Sequence, residues 1–215
     1  MEKDLSNYRK SYEKGALLLS DVPDNPMLLF KTWFDEVDGF FENQETNAMT
    51  ISTIGLDGFP KSRVVLLKKV NEEGFVFFTN YHSEKGLAMA NNPNVCLSFF
   101  WHGAERQIII KGSAEKIDEK SSNDYFESRP RGSQLGALVS NQSEVITHRQ
   151  YLEDKLAKLE DEYQGKLIER PEHWGGYIVK PLEIEFWQGR KNRLHDRVRY
   201  MIENNKDWTK SRLSP

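Results

Sequence analysis

Cysteine occurs once in these 215 residues, at Cys96, so the chain can form no intramolecular disulfide and no cysteine-based metal cluster. Cys96 stands in the apolar run "NVCLSFFW", where it reads as a packed thiol rather than a nucleophile. Long hydrophobic runs are missing too. None approaches the ~20 residues that a membrane-spanning helix needs, and the opening "MEKDLSNYRKSYEKG" lacks the apolar core of a signal peptide. Charge of one sign is not in excess. The 30 Lys and Arg face 33 Asp and Glu, a net charge of −3 that exerts no overall pull toward nucleic acid or an anionic membrane. The expectation is a soluble, cytoplasmic protein in which anion recognition has to come from local clustering.

Missing motifs narrow the chemistry further. Neither Gly-x-Gly-x-x-Gly nor Gly-x-x-x-x-Gly-Lys occurs, which argues against a Rossmann or P-loop nucleotide site. There is no Gly-x-Ser-x-Gly elbow and no His-Glu-x-x-His helix. The five histidines (His82, His102, His148, His173 and His195) are scattered, with none at metal-ligand spacing, so no protein-bound metal is expected. If the chain is an enzyme, an organic cofactor has to carry the difficult chemistry.

What is present is a well-supplied core, with 38% hydrophobic and 12% aromatic residues, enough for one domain without covalent staples. Residues 1–20 are polar and read as a flexible arm, leaving residues 21–215 as a single domain. In "DNPMLLFKTWFDEV", Asn25 before Pro26 marks a helix start, and Leu29, Phe30, Trp33, Phe34 and Val37 make one apolar face. Period-two patterning then takes over. "AMTISTIG" and "KSRVVLLKKV" flank a Leu56-Asp57-Gly58-Phe59 turn, and "GFVFFTN", "NVCLSFFW" and "RQIIIKGSAEKI" follow as strands. "HSEKGLAMANNP" is a short helix capped by Ser83 and stopped by Asn-Pro. "SSNDYFESRP", "RGSQLGALVS" and "THRQYLEDKLAKLEDEY" are helical, the last with Leu152, Leu156, Leu159 and Tyr163 on a face expected to dock on the body. "GGYIVKP", "LEIEFWQG" and "DRVRYMIEN" read as three more strands. Hairpin-linked short strands predict a mainly β, α+β protein: a small antiparallel barrel with peripheral helices.

Four segments could carry chemistry. In "SRVVLLKK", Arg63 and Lys68 end an apolar strand. Strict alternation sends them to opposite faces, so a shared ligand requires a bulge or a wrapped strand end; an ordinary half-buried strand is the other reading. Gln107 opens a strand among apolar neighbours, where its amide needs either a heterocycle edge or a backbone partner. "YFESRPRGSQ" holds Tyr125, Arg129, Arg131 and Ser133 around a proline just before a helix. That is either a phosphate receiver or a charged interhelical turn, with Gln142 and Ser143 in a polar loop beyond it. "FWQGRKNRLHDR" gathers Arg190, Lys191, Arg193 and Arg197 beside Trp187 and His195.

Taken in order, "SRVVLLK", "VFFTN", "ERQ", "YFESRPRGSQ", "NQS", "WGGY", "IEFWQGRKNRLHDR" and the ending "WTKSRLSP" resemble the pyridoxamine 5′-phosphate oxidase family, from about Tyr8 to Pro215. The resemblance implies an antiparallel split β-barrel homodimer binding FMN in clefts at the subunit interface. It also implies oxidation of pyridoxine or pyridoxamine 5′-phosphate at C4′ to pyridoxal 5′-phosphate, with O2 taking the electrons and yielding hydrogen peroxide. Carried over residue by residue, the FMN contacts would be Arg63, Val64, Val65, Leu66, Leu67, Lys68, Phe78, Thr79, Lys85, Gln107, Gln142, Ser143, Trp187 and Arg197. Lys68, Tyr125, Arg129 and Ser133 would receive the substrate phosphate. Arg193, Leu194 and His195 would face the substrate ring, with Arg193 and His195 as the catalytic pair and His195 placing substrate more than removing a proton. Arg9, Lys10, Ser11 and Tyr12 resemble a segment that folds over substrate. Arg190 and Lys191 inherit no role and are assigned to solvent.

Two positions depart from the family pattern. Glu84 stands where an Arg usually precedes the phosphate-binding Lys, and Phe78 replaces the usual Tyr. Two other functions remain open to the sequence: a split-barrel FMN oxidoreductase for another ring system, which should lack the Tyr125, Arg129, Ser133 or Arg193/His195 set, and a non-enzymatic barrel binding single-stranded nucleic acid or a regulatory ligand, which the charge balance disfavours.

Overall fold

The computed structural model describes residues 3–40, 45–203 and 207–215; the first two residues of the expected arm, and Asn204 at the end of the expected strand "DRVRYMIEN", lie outside the described residues. The chain is mainly β with peripheral helices. Helix α1 (Pro26–Phe40) starts where the Asn-Pro signal predicts, with the Asn25 side chain accepting from the Met27 N–H at 2.8 Å. Strands β1 (Ala48–Ile54) and β2 (Pro60–Leu66) flank the expected turn, in which Gly58 takes φ +82°, a left-handed conformation that glycine adopts without steric cost. There follow β3 (Lys69–Asn71), β4 (Gly74–Asn80), α2 (Glu84–Asn91), β5 (Asn94–Trp101), β6 (Arg106–Lys116), α3 (Glu119–Ser128), α4 (Arg131–Val139) and α5 (Gln150–Glu162). The chain ends with β7 (Trp174–Gln188), β8 (Asp196–Glu203) and β9 (Asp207–Leu213). The strands hydrogen-bond in the order β2-β1-β5-β6-β7-β4-β3, with β8 on β7 and β9 on β8. The β3–β4, β4–β7, β7–β8 and β8–β9 ladders are antiparallel.

Several expectations change. The single strand read from "KSRVVLLKKV" breaks at Leu67-Lys68 into β2 and β3. The two strands read from "GGYIVKP" and "LEIEFWQG" are one, β7. Pro181, which has no N–H to give a ladder, falls between the part of β7 paired with β4, up to Val179, and the part paired with β8, from Glu183. Strand β9 has no counterpart in the sequence reading. Cys96 is half-buried rather than fully packed.

Contacts gather the described residues into two compact units: those within 1–49, 97–111 and 182–215 form the first, and residues 50–96 and 112–181 the second. The first unit is built on aromatic contacts. Phe30 meets Phe99 at 5.3 Å between ring centroids, Trp33 meets Phe186 edge-on at 5.2 Å, and Phe186 meets Tyr200 at 5.8 Å. The arm expected to be flexible is anchored to this unit in its second half. The buried Glu105 carboxylate accepts from the Glu13 and Lys14 N–H groups at 2.7 and 3.0 Å, and Leu17 is 4% exposed. In the second unit, Phe126, Leu135, Ala137, Ile168 and Trp174 form a buried cluster, against which Leu156, Leu159 and Tyr163 pack half-buried. The stripe on α5 therefore docks on the body, though none of its residues is fully buried. Among the described residues, no helix is long and apolar enough to cross a membrane.

Candidate active site

The second unit holds a cavity of about 850 Å³, within the size range of cofactor clefts. Its wall begins on β2, where Arg63, Val64, Val65 and Leu66 line it, and continues past the strand break to Lys68. That break removes the alternation problem: once the strand is interrupted, both cations reach one cavity. Leu67 instead turns into the core, at 6% exposure. The Arg63 guanidinium is set from β1, donating to Thr53 Oγ1 at 2.7 Å. Burial lowers its pKa from the ordinary value.

Lys85 is the buried cation of this wall, 8% exposed. Its Nζ donates to Gln142 Oε1 at 2.9 Å, and to Thr79 Oγ1 and Ser83 Oγ at 3.3 Å. Every one of these partners is neutral. Burial, followed by the Arg63 charge, pushes the ammonium down to about 8. Ser83 also caps α2 by accepting from the Gly86 N–H. Ser143, at φ +80°, accepts from the Glu84 N–H at 3.2 Å. The segments holding Thr79, Lys85, Gln142 and Ser143 thus converge at one end of the cavity.

The other end is aromatic and cationic. Phe78 stacks on Tyr125 with centroids 3.8 Å apart and on Trp174 at 5.6 Å, and the Arg129 guanidinium lies 4.5 Å over the Trp174 ring. Gly176 permits this stack: a Cβ there would fall 2.9 Å from the Phe78 ring. Phe78, where the family usually has Tyr, is a ring in a stack and needs no hydroxyl for that contact. Arg129 Nη1 is buried and has no hydrogen-bond partner among the described residues, and burial lowers the group's pKa. An anion at this end would satisfy that cationic donor. Ser133 lines the same end. Arg131 does not: its guanidinium donates to the backbone oxygens of Tyr163 and Lys166.

Gln107, Trp187, Arg193, Leu194, His195 and Arg197 belong to the first unit. The β7–β8 register places Trp187 directly opposite Arg197. Glu185, two residues back on the same face, takes Arg197 in a bidentate pair at 2.7 and 3.0 Å and raises its pKa. Arg197 Nη1 also donates to Ser214 O at 2.8 Å, which leaves two of its five N–H groups for a ligand. His195 lies 4.6 Å from the Trp187 ring and 5.9 Å from Tyr12, and Gly189 gives Tyr12 room to approach. The Arg190 N–H donates to His195 Nδ1 at 3.1 Å. That bond requires an unprotonated Nδ1, so the ring proton sits on Nε2. Burial, then the Arg193 charge, lowers the His195 pKa.

Arg190 is not a solvent residue. It donates to Gly15 O at 3.1 Å and lies 3.6 Å from Asp196, a buried carboxylate that also accepts from the Leu17 N–H and Arg212. Lys191 pairs with Glu13 at 3.3 Å and stays exposed. Arg193 is exposed and takes φ +63° after Asn192 at φ +57°. For a residue with a Cβ this conformation costs about 1–3 kcal/mol. Of the arm residues, Tyr12 reaches this cluster, whereas Arg9 donates to Ser6 O and Ser11 to Glu13. The sequence reading missed Asp196, Glu105 and Lys61 because their roles depend on partners far away in the chain.

A family profile described as pyridoxamine 5′-phosphate oxidase matches residues 34–163, and one described as the pyridoxine 5′-phosphate oxidase C-terminal dimerisation region matches residues 174–215. The chain is 65% identical to a pyridoxine/pyridoxamine 5′-phosphate oxidase of Flavobacterium psychrophilum, across 99% of this chain and 100% of that one. It is 46% identical to the protein of that description from Leptospira interrogans, across 100% of both chains. Among solved structures, PhzG of Burkholderia lata, in complex with tetrahydrophenazine-1-carboxylic acid, superposes with a TM-score of 0.86 at 28% identity, covering 94% of this chain and 100% of that one. A pyridoxamine 5′-phosphate oxidase-related FMN-binding protein of Nostoc punctiforme shares the fold at 12% identity, with a TM-score of 0.70 and coverage of 91% of this chain and 99% of that one.

Proposed function

Because the chain belongs to the pyridoxamine 5′-phosphate oxidase family, with its split-barrel fold, and oxidises pyridoxine or pyridoxamine 5′-phosphate to pyridoxal 5′-phosphate with FMN, we propose that the cavity of the second unit receives both phosphorylated ligands. One observation carries this assignment. The cavity has two separate cationic ends, Arg63 with Lys85 and Arg129 with Ser133, and in neither end does Lys85 or Arg129 have a carboxylate partner among the described residues. A phosphate monoester carries roughly −1.5 to −2 charges at neutral pH and suits such cationic ends. The residues present therefore fit FMN at the Lys85 end and the substrate phosphate at the Arg129 end.

FMN, when bound, supplies the two-electron acceptor for C4′ and passes the electrons to O2, giving hydrogen peroxide. The chain's task is placement. Arg63 and Lys85 would hold the cofactor phosphate, with Thr79, Gln142 and Ser143 as further polar contacts and residues 64–66 as contacts to the rest of the group. Lys68, Tyr125, Arg129 and Ser133 fix the substrate phosphate. Arg193 and His195 act on the substrate ring, in a homodimer whose clefts lie at the subunit interface. His195 holds its proton on Nε2, so it donates a hydrogen bond to the C4′ hydroxyl or amine; its Nδ1, the atom that would take a proton, is already engaged by Arg190. This arrangement supports a positioning role over a general base.

Purified protein should be yellow with a flavin spectrum, and anaerobic pyridoxine 5′-phosphate should bleach it. A colourless protein that FMN cannot reconstitute would refute the assignment. A flavin that stays oxidised with either vitamer would point instead to another ring substrate.

A further inference from the structure

Among the described residues, Glu84 is the one carboxylate lining the cavity, beside cations at Lys61, Arg63, Lys68, Lys85 and Arg129. Facing a phosphate, it should repel. The structure shows how the repulsion is answered. Lys61, on β2 two residues before Arg63, reaches across to α2 and pairs with Glu84 Oε2 at 2.5 Å. Both side chains remain about half exposed, 58% and 46%, so the pair sits at the mouth rather than in the floor. We propose that Lys61, by neutralising Glu84 at the phosphate end of the cavity, is a specificity-determining residue for phosphorylated over unphosphorylated flavin. This rests on the reading of that end as the FMN phosphate site.

The charge count supports it. Arg63, Lys85 and Lys61 give three positive charges and Glu84 one negative, so this end carries +2 with the pair intact, which matches a phosphate dianion. Without Lys61 it carries +1, and the carboxylate is left without its counter-ion. The carboxylate is close enough to act on both remaining cations, opposing the burial that lowers the pKa of Arg63 and of Lys85. An exposed pair contributes little to folding, so the geometry is better explained by what it does to an incoming anion.

The test uses full-length apoprotein stripped of FMN and titrated with FMN or riboflavin by flavin fluorescence. Lys61→Ala should weaken FMN binding about fivefold, less at high salt, and leave riboflavin unchanged. Glu84→Gln should bind FMN at least as well as the parent, and Lys61→Arg should keep the parent affinity. The double variant Lys61→Ala/Glu84→Gln should return to within about twofold of the parent, because a compensating pair is then removed as a unit. Unchanged FMN affinity in Lys61→Ala, an equal loss for riboflavin, or a double variant as weak as the single one would each overturn the proposal. Arg63→Ala separates the two levels. If it leaves the FMN-to-riboflavin ratio unaltered, the phosphate site itself is misplaced; if it collapses the ratio while Lys61→Ala does not, only the role of Lys61 fails.

Discussion

Lys85 offers a titration that reads out the cavity's purpose. In the ligand-free protein its ammonium is pushed down to about 8 from 10.5, by burial first and the Arg63 charge second. On the assignment proposed above, a bound phosphate reverses this, because it supplies a counter-charge. The holo-state pKa is therefore higher, and FMN binding above pH 8 takes up a proton. The sign follows directly. Below pH 8 Lys85 is charged in both states and affinity is level, since the phosphate is already a dianion above about pH 7. Above pH 8 affinity falls, by about tenfold for each unit until the holo-state pKa is reached. About a tenth of Lys85 remains charged at pH 9, so the dissociation constant should be roughly tenfold larger at pH 9 than at pH 7. Fluorescence titrations of apoprotein at pH 7, 8 and 9 measure this, with riboflavin as the ligand that should show no such slope. Lys85→Met should bind FMN weakly and evenly across the range. Apoprotein stability should meanwhile rise with pH between 8 and 10.5, because the unfolded chain then holds more protons than the folded one; loss of FMN above pH 8 is thus not a consequence of unfolding at Lys85. Equal FMN affinity at pH 7 and pH 9, or a slope that survives in Lys85→Met, would refute the reasoning.

Arg129→Ala removes the half-buried guanidinium to which we assign the substrate phosphate, and charge-assisted hydrogen bonds are worth about 1.5–3 kcal/mol; steady-state kinetics should show KM raised roughly ten- to a hundredfold, with the FMN spectrum intact. Arg193→Ala should lower kcat/KM by about a hundredfold through lost placement, again with FMN retained, and unchanged kinetics in a holoenzyme would reject its role. His195→Gln, whose amide can still donate, should keep more activity than His195→Ala. The parent's pH–rate profile should show no acid limb from His195 above about pH 6.5, because its pKa is lowered; a limb near pH 7 that disappears in both variants would reinstate general-base catalysis.

The local signals in the sequence were strong where backbone and side chain answer to neighbours. Asn25 before Pro26, Ser83 before Glu84 and the Asp57-Gly58 turn each satisfy or release nearby backbone groups, so their positions are readable without tertiary information. The Leu67-Lys68 break was less legible, because "SRVVLLKK" is a good strand by propensity and only β3 pairing with β4 ends it. Pro181 misled in the other direction. A proline ordinarily ends a strand, yet here it occupies the one stretch of β7 between two pairing partners. At the site, the residue types near phosphate were visible as clusters, whereas the Lys61–Glu84 pair links residues 23 apart on different elements and leaves no spacing to read.

The cations of "FWQGRKNRLHDR" show why composition alone overstates an anion site. Arg190 is spent on Gly15 O and Asp196, Lys191 on Glu13, and Arg197 on Glu185. Each of these contacts fixes chain direction: Arg190 and Lys191 tie the loop to the arm, and Arg197 ties β8 to β7. Among the described residues this leaves Arg193 as the loop cation without an ion pair, exposed and in a left-handed conformation that a non-glycine residue adopts only when its surroundings insist. The same frame brings the Arg190 N–H to His195 Nδ1 and fixes the ring's tautomer. The three paired cations thus build the shape that presents one free charge and one directed Nε2–H donor. Replacing any of the three should therefore disturb placement of Arg193 and His195 before it changes the charge a ligand meets.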